Sequence, residues 1–332
     1  MKLGLIARAD HTGLGYQTKA YYKHLKPDKV LLIDITNYNG NKQHYEWYPN
    51  AQISKGFPNF QDIINFLSGL DVVITAETAY SNEFYKYAKE MEVKTICVEN
   101  PEFYDFIKYP DLVMPDVIIL PSVWKEKEIR AHAEPRGVKV YQIHHPVDRD
   151  EFPFQLRTNK KVVHIAGKPA SQDRNGTWDY LQACPDGLVT TQSEDLAKLI
   201  RNRYRNARVL TDIQTPQQIY RSGDILVLPR KYGGNCLPLN EALSSGMPVI
   251  MPDIEPNNHL LPKEWLVPAT ITGHFEPRTK VDIYSVDIQQ LQKKIQYMQS
   301  IDMEQESLKA NDIAESISWT TLLPKYLEVI NS

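Results

Sequence analysis

The sequence has little cysteine, no long apolar run and no strong excess of either charge. Its three cysteines, Cys97, Cys184 and Cys236, are scattered and odd in number. This pattern argues against a disulfide framework or a zinc site and favours a reducing compartment. No segment has the length of a membrane span, and the first residues form a strand pattern instead of a signal peptide. We therefore expect a cytoplasmic protein without membrane insertion.

The charge balance limits the choice of partner. The formal net charge of -3 argues against nucleic-acid binding by bulk charge, although it leaves a local basic groove open. Residues 201–208 form a basic run with a tyrosine inside it. Such a run suits a nucleic-acid backbone or, more commonly, a solvated helix face. DNA therefore stays open as a partner.

The order of apolar segments predicts the fold class. With 332 residues, 42% hydrophobic and 24% charged, the chain has a globular composition and the length of two domains. Strands are expected at 2–7, 30–35, 72–75, 95–98, 117–120 and 138–143, then again from 162–166 after a linker at 145–153. Helical patterns separate these strands. The alternation predicts an α/β fold of two Rossmann-like, doubly wound domains, 1–150 and 151–310, that face a cleft.

Residues 224–250 are the most informative part of the chain. A short apolar strand leads to Gly233 and Gly234, where the backbone can approach a ligand closely. Pro238 suits the first turn of the helix that follows. The start of such a helix offers free N–H groups and a partial positive charge to a phosphate. Glu241, one turn further along, would accept hydrogen bonds from ribose hydroxyls, so the segment predicts a nucleotide diphosphate site.

This segment resembles the donor-binding signature of GT-B glycosyltransferases, in particular the retaining enzymes of glycosyltransferase family 4. The residues that match the pattern Leu-Pro-x-x-Glu-Ala followed by Gly-x-Pro-Val are Leu237, Pro238, Glu241, Ala242, Gly246, Pro248 and Val249. The resemblance implies transfer of a sugar from a UDP- or GDP-linked donor to an acceptor hydroxyl, with retention and without a metal or other cofactor. Gly233 stands where the family has a glutamate that contacts the donor sugar, so the sugar is left open.

The resemblance also assigns residues to the donor phosphates. The backbone expected to surround them is that of Gly233, Gly234, Asn235, Cys236 and Leu237. Lys168 and Arg174 stand at or beside the family's two cationic positions. They would balance the charge that grows on the departing diphosphate. Arg230 and Lys231, directly before the glycine loop, are further candidates.

Two other segments extend the resemblance. Residues 311–332 are similar to the family's closing Ser-Trp helix, which packs back on the first domain. The short chain and its Thr-Gly-Leu-Gly and Asp-Arg-Asn-Gly-Thr segments resemble small glycosyltransferases encoded by bacteriophages. That likeness suggests a modified DNA base or a virion protein as acceptor, while a glycan or a small molecule stays open. The sequence leaves the oligomeric state open as well.

The loop after the first strand supports a second interpretation. Gly13 and Gly15 match the start of a dinucleotide fingerprint, but Thr18 occupies the third glycine position. Asp34 lies near the place of a ribose-binding acid. An NAD(P)-dependent oxidoreductase is therefore an alternative. In a glycosyltransferase, the same loop would touch the donor phosphate or the acceptor.

Carboxylates that follow two further strands are candidates on the acceptor side. Glu77 and Glu99 come just after predicted strands, and the carboxyl ends of strands in such sheets face the ligand crevice. They would bind acceptor hydroxyls or assist proton removal, and Asp10 and His11 compete for the same roles. Each also suits a helix cap. The candidate catalytic residues are Lys168, Arg174, Asp10 and Glu99.

Two observations limit these assignments. Asp148 and Asp150 have the Asp-x-Asp form of metal-dependent GT-A enzymes, but they lie in the linker, where a solvated segment is favoured. We therefore expect no metal site. Because Gly233 replaces an expected carboxylate, a protein that binds a nucleotide-sugar without catalysis is a further alternative.

Overall fold

A computed structural model describes residues 1–167 and 173–332. The chain forms two compact units. Unit 1 comprises Met1–His145, Pro277–Thr279 and Leu322–Ser332, and unit 2 comprises Pro146–Glu276 and Lys280–Thr321. The chain thus first passes from unit 1 to unit 2 between His145 and Pro146.

Unit 1 is built on a parallel sheet of seven strands. The strands are β1 (Leu3–Ala7), β2 (Lys29–Asp34), β3 (Gln52–Lys55), β4 (Val72–Ala76), β5 (Lys94–Val98), β6 (Val117–Leu120) and β7 (Lys139–Gln142). Their order across the sheet is β3-β2-β1-β4-β5-β6-β7. Every residue of β1, β4 and β6 is buried, as expected for central strands that are covered on both faces.

Helices connect these strands. They are α1 (Gly13–Leu25), α2 (Thr36–Asn39), α3 (Phe60–Leu67), α4 (Phe84–Glu90) and α5 (Glu126–Ala133). The amphipathic α3 shows why such a segment folds locally. The Asn59 side chain accepts the N–H of Asp62, and the Asp62 side chain accepts the N–H of Asn59, which together form a capping box. Ile63, Phe66 and Leu67 lie in the core.

Unit 2 has its own parallel sheet and an antiparallel hairpin. The sheet strands are β8 (Val162–Gly167), β9 (Leu188–Thr191), β10 (Arg208–Leu210), β11 (Ile225–Val227), β12 (Val249–Pro252) and β13 (Leu266–Val267). Their order is β10-β9-β8-β11-β12-β13. The hairpin pairs β14 (Ala269–Phe275) with β15 (Val281–Val286).

The helices of the second half complete the fold. They are α6 (Thr177–Ala183), α7 (Glu194–Arg203), α8 (Pro216–Arg221), α9 (Leu237–Ser244), α10 (Asn257–Leu260), α11 (Ile288–Ser300), α12 (Met303–Ser316) and α13 (Trp319–Asn331). The closing residues 311–332 therefore contain the end of one helix and a second helix. Lys94 in unit 1 donates to the carbonyl of Val329, near the end of α13, at 2.6 Å.

Both parallel sheets reverse their strand order at one point. In unit 1 the reversal lies between β1 and β4, and in unit 2 it lies between β8 and β11. Doubly wound sheets bind their ligands beyond the carboxyl ends of the strands at such switch points. Two doubly wound α/β units confirm the predicted fold class. The loops after β1, β4, β8 and β11 are therefore the places where ligand-binding residues are expected.

Candidate functional site

The loop that precedes α9 in unit 2 presents a row of backbone donors. Gly234 adopts a φ of +85°, which glycine tolerates, and Cys236 is the last residue before the helix. Within the described residues, the N–H groups of residues 233–237 donate no hydrogen bond to the rest of the chain. Because buried backbone N–H groups are nearly always paired in a folded protein, this row is suited to an anionic ligand at the helix start.

Two guanidinium groups fix the other side of this loop. Arg230 is buried and donates to the carbonyl oxygens of Tyr232, Gly233 and Asn235 at 3.2–3.3 Å. Arg174 donates to the carbonyl of Gly233 at 2.9 Å and lies 4.8 Å from the centre of the Tyr232 ring. A trans peptide holds each N–H opposite the preceding carbonyl. Because the carbonyl groups point toward the two arginines, the N–H groups of the residues that follow them point away from the arginines.

Backbone contacts hold Arg174 against the glycine loop. Gly176 has a φ of +71°, and a Cβ there would lie only 2.1 Å from the carbonyl oxygen of Pro229. The N–H of Lys231 donates to the carbonyl of Arg174 at 2.8 Å. Asp173 caps α6 by accepting the N–H groups of the first two helical residues. Residues 173–176, which precede α6, and the loop after β11 are thus packed against each other at the switch point.

The other predicted cations have different outcomes. Lys168 lies outside the described residues. Lys231 forms an ion pair with Asp179 of α6 at 3.5 Å. Burial raises the pKa of that carboxyl, and Lys231 opposes the shift. Among the described residues, Arg174 and Arg230 are therefore the cations that contact the glycine loop.

Glu241 lies one turn into α9 and is half-buried. It accepts a hydrogen bond from the hydroxyl group of the buried Tyr220 on α8. Burial raises the pKa of Glu241 to about 7, against the lowering effect of the Tyr220 hydrogen bond. Its protonation therefore changes near neutral pH. Sequence analysis did not identify Tyr220, because the pair joins residues on two different helices.

In unit 1, the loop after β1 holds Asp10 in the interior. Asp10 is 0% exposed and accepts hydrogen bonds from the Arg8 guanidinium and the Thr12 hydroxyl. Thr12 also caps α1 by accepting the N–H of Gly15 at 3.3 Å. A Cβ on Gly15 would lie 1.9 Å from the carbonyl oxygen of Asp10. The predicted catalytic role of Asp10 would thus be indirect, through Arg8.

The same contacts account for the partial dinucleotide pattern. Gly13 is the first residue of α1, and Gly15 allows the helix to pack on its own loop. Thr18 accepts the N–H of Arg8 at 3.1 Å, so it ties the helix to the strand. Asp34 accepts hydrogen bonds from the hydroxyl of Tyr45 at 2.6 Å and from the backbone.

The switch point of unit 1 is crossed by side chains. Arg8 is 5% exposed and donates to the hydroxyl of Tyr80, which follows β4, at 3.5 Å. Glu77 and Tyr80 adopt φ values of +65° and +58°. Residues other than glycine adopt such φ angles only at a cost in conformational energy, and such residues are often found at functional sites. Tyr80, which the sequence analysis missed, lies three residues after the predicted Glu77.

A cavity of about 460 Å³ opens beside this switch point. Its lining comes from residues after β3, β4 and β5 and from the segment 277–279 of unit 1, and it includes Glu77, Tyr80 and Glu99. Glu99 is 2% exposed. Burial, and next the charge of Glu77, raises the pKa of Glu99 well above its usual value. The structure therefore brings the two predicted acceptor-side carboxyls into one cavity.

In the linker, the Asp148 carboxylate binds backbone N–H groups of the residues that follow it. Asp148 accepts the N–H groups of Asp150 and Glu151 at 3.1 and 3.4 Å, as in a turn. Among the described residues, no three His, Cys, Asp or Glu side chains form a group that could hold a metal ion. None of the helices in residues 1–167 and 173–332 combines the length and the apolar character of a membrane span.

No family model matches the chain, and no curated protein matches it in sequence. Solved structures match it strongly. HepE from Anabaena in complex with UDP has a TM-score of 0.72 at 10% identity, over 100% of both chains. Sucrose-phosphate synthase from Thermosynechococcus elongatus has a TM-score of 0.69 at 12% identity, over 99% of this chain and 98% of that one.

A third likeness covers a longer protein. The GtfA/B complex matches with a TM-score of 0.60 at 17% identity, over 82% of this chain, which spans 60% of the length of that chain. Together these likenesses show that the chain has the two-domain GT-B fold of glycosyltransferases, as predicted.

Proposed function

We propose that this protein is a glycosyltransferase that moves a sugar from a UDP-linked donor to an acceptor hydroxyl. The observation that carries the proposal is the row of N–H groups at residues 233–237, which donate to no other described residue. They lie at the start of α9, backed by Arg174 and Arg230. A diphosphate suits this arrangement because it accepts several hydrogen bonds and carries negative charge.

The solved structures support the choice of nucleotide. HepE has been solved with UDP and with UDP-glucose, and its fold matches this chain over its full length. In this proposal the helix start and the arginines hold the diphosphate. Glu241 accepts hydrogen bonds from the ribose hydroxyls, and Tyr220 orients its carboxyl group.

The chemistry would depend on positioning and charge. The bond between the anomeric carbon and the donor phosphate oxygen breaks, and the acceptor oxygen forms a new bond to that carbon. The departing diphosphate takes the electron pair and then the acceptor proton. Preorganised N–H groups and guanidiniums stabilise the charge that develops on the diphosphate. Retention, independence from metal and a bacteriophage origin follow from the family resemblance alone and belong to the proposal.

A nucleotide panel tests this assignment. The purified protein is titrated with UDP, GDP, ADP, CMP, NAD and NADP, with and without manganese, and UDP-glucose hydrolysis is followed in parallel. We expect binding of UDP without metal and slow release of UDP from UDP-glucose. Binding of NAD or NADP alone would move the function to the loop around Gly13 and Gly15. Tight UDP binding with neither hydrolysis nor transfer would favour a binding protein.

A further inference from the structure

The cavity beside the switch point of unit 1 has the size of a ligand site. Its volume of about 460 Å³ falls within the range of about 300–1,000 Å³ that is typical of small-molecule pockets. The segment that carries Arg278 is fixed in unit 1, because Thr279 donates to the carbonyl of Pro101 at 3.0 Å. The cavity is therefore a defined part of this unit.

Glu99, which lines this cavity, has one carboxyl oxygen without a hydrogen-bond partner among the described residues. Its Oε2 accepts only the weak thiol donor of Cys97, at 3.6 Å. Its Oε1 is buried and has no hydrogen-bond partner among the described residues. Buried polar atoms in folded proteins almost always have partners. An unpaired carboxyl oxygen on a residue that lines a cavity therefore points to a ligand that supplies the missing partner.

The raised pKa of Glu99, together with its place in the cavity lining, favours a ligand with hydroxyl groups. Burial, and next the charge of Glu77, raises the pKa of Glu99 well above its usual value, which favours the protonated form relative to that of an exposed carboxyl group. A protonated carboxyl both donates and accepts, as a hydroxyl group does. Glu99 would therefore bind and orient the ligand through hydroxyl groups.

Aromatic side chains line the rest of the cavity. Phe57 is 56% exposed and Phe103 is 37% exposed, and both lie among the lining residues together with Tyr80. The electron-rich faces of such rings attract the weakly positive C–H groups of a sugar ring. Aromatic faces beside carboxyl groups thus suit a ring that carries hydroxyls on its edge and C–H groups on its face.

The charges in the cavity disfavour a phosphate-bearing acceptor. Three carboxyl groups line it, those of Glu77, Glu99 and Asp105. Within the described parts of the chain, Arg278 is the cation among the lining residues, and it forms an ion pair with Asp105. Nucleic-acid binding relies on cations that contact phosphates. This cavity lining would instead place carboxylates near the phosphates of a nucleic acid, where like charges repel.

We propose that this cavity binds the acceptor, and that the acceptor is an uncharged, polyhydroxylated ring such as the terminal sugar of a glycan or glycoside. The proposal rests on the glycosyltransferase function inferred above. Glu99 and Glu77 hold the ring by its hydroxyls, and the aromatic side chains cover its face. The acceptor hydroxyl attacks the anomeric carbon of the donor, and its proton leaves with the departing diphosphate.

The test combines an acceptor panel with matched variants. UDP-glucose, UDP-galactose and UDP-N-acetylglucosamine are offered with neutral methyl glycosides and oligosaccharides, a hydroxymethylcytosine DNA duplex, and serine-rich peptides. Glu99→Gln and Glu99→Ala are compared with Glu90→Gln, the same change at an exposed position on α4. UDP affinity and thermal unfolding are measured for each variant.

We expect transfer to glycosides. The acceptor KM should rise at least tenfold in Glu99→Ala and stay within about threefold in Glu99→Gln, because an amide also donates and accepts. UDP affinity should be unchanged in all three variants. Transfer to DNA or peptide alone, with UDP binding intact, would overturn this inference and keep the proposed function. An equal loss in Glu99→Gln and Glu99→Ala would contradict the role of Glu99. Failure to bind UDP would remove both proposals.

Discussion

Removing a single hydroxyl group, in Tyr220→Phe, tests whether Glu241 binds the nucleotide as a carboxylate. Tyr220 is buried on α8 and donates to Glu241 on α9. Burial raises the pKa of Glu241 to about 7, although this hydrogen bond favours the charged form. At pH 7 about half of the molecules therefore carry the carboxylate. UDP affinity of the unmodified protein should rise between pH 6 and pH 8, because charged acceptors form stronger hydrogen bonds.

The size of the effect follows from the lost hydrogen bond. A hydrogen bond to a charged group contributes about 1.5–3 kcal/mol, and one pKa unit corresponds to about 1.4 kcal/mol. Tyr220→Phe should therefore raise the pKa of Glu241 by about one to two units. The carboxylate then falls to about 1–10% of molecules at pH 7, and UDP affinity falls by up to about 5- to 50-fold. The affinity should recover as the pH rises above the new pKa.

Isothermal titration calorimetry with UDP between pH 6 and pH 10 measures this profile. Tyr297→Phe is the matched control, because Tyr297 is an exposed tyrosine of α11 in the same unit. It should bind UDP like the unmodified protein at every pH. Equal UDP affinities of Tyr220→Phe and the unmodified protein at pH 7 would refute the reasoning. A flat pH profile of the unmodified protein would do the same.

Three further predictions concern other parts of the chain. Arg174→Lys should weaken UDP binding about tenfold and UMP binding less, because the lysine ammonium group cannot form the paired hydrogen bonds of a planar guanidinium group. Equal losses of UDP and UMP affinity in calorimetry would exclude a contact between Arg174 and the second phosphate. Gly15→Ala, with its Cβ 1.9 Å from a carbonyl oxygen, should destabilise unit 1 by about 3 kcal/mol in urea unfolding, whereas Gly273→Ala, whose nearest atom is 3.9 Å away, should cost far less. The raised pKa of Glu99 means that the folded chain binds this proton more tightly than the unfolded chain. The free energy of unfolding should thus decline as the pH rises above about 4.5, and Glu99→Gln should reduce that decline.

Local chemistry made the segment around α9 predictable. Pro238 starts a helix without losing a hydrogen bond, and Gly246 ends it with a φ of +76°. The placement of Glu77 and Glu99 near each other followed from topology, since parallel strands bring their carboxyl ends to one edge. Boundaries that depend on a cap were less accurate. The helical pattern in the sequence predicts a helix over 18–25, whereas α1 begins at Gly13, because Thr12 caps it there.

Elements that bury little apolar surface escaped prediction. The edge strand β3 carries an exposed Ile53, and most residues of the hairpin strand β14 are exposed. Hydrophobic periodicity is a weak signal in such segments, because neither face of the strand has to be apolar to pack against a core. The paired side chains Tyr220 with Glu241 and Arg8 with Tyr80 lie far apart in sequence. Only the folded chain brings them together.

The two switch points differ in the groups that meet there. This difference supports the proposed division of roles, with the nucleotide bound in unit 2 and the acceptor in unit 1. In unit 2 backbone atoms meet directly, since Gly176 packs against the carbonyl of Pro229 and Lys231 donates to Arg174. Such a rigid junction suits a diphosphate, which needs donors at fixed positions. In unit 1, side chains such as Arg8 and Tyr80 cross the switch point, and a cavity of about 460 Å³ stays open beside it. Side chains can exchange while the backbone is kept, so the proposed acceptor site could change its specificity without altering the proposed donor site.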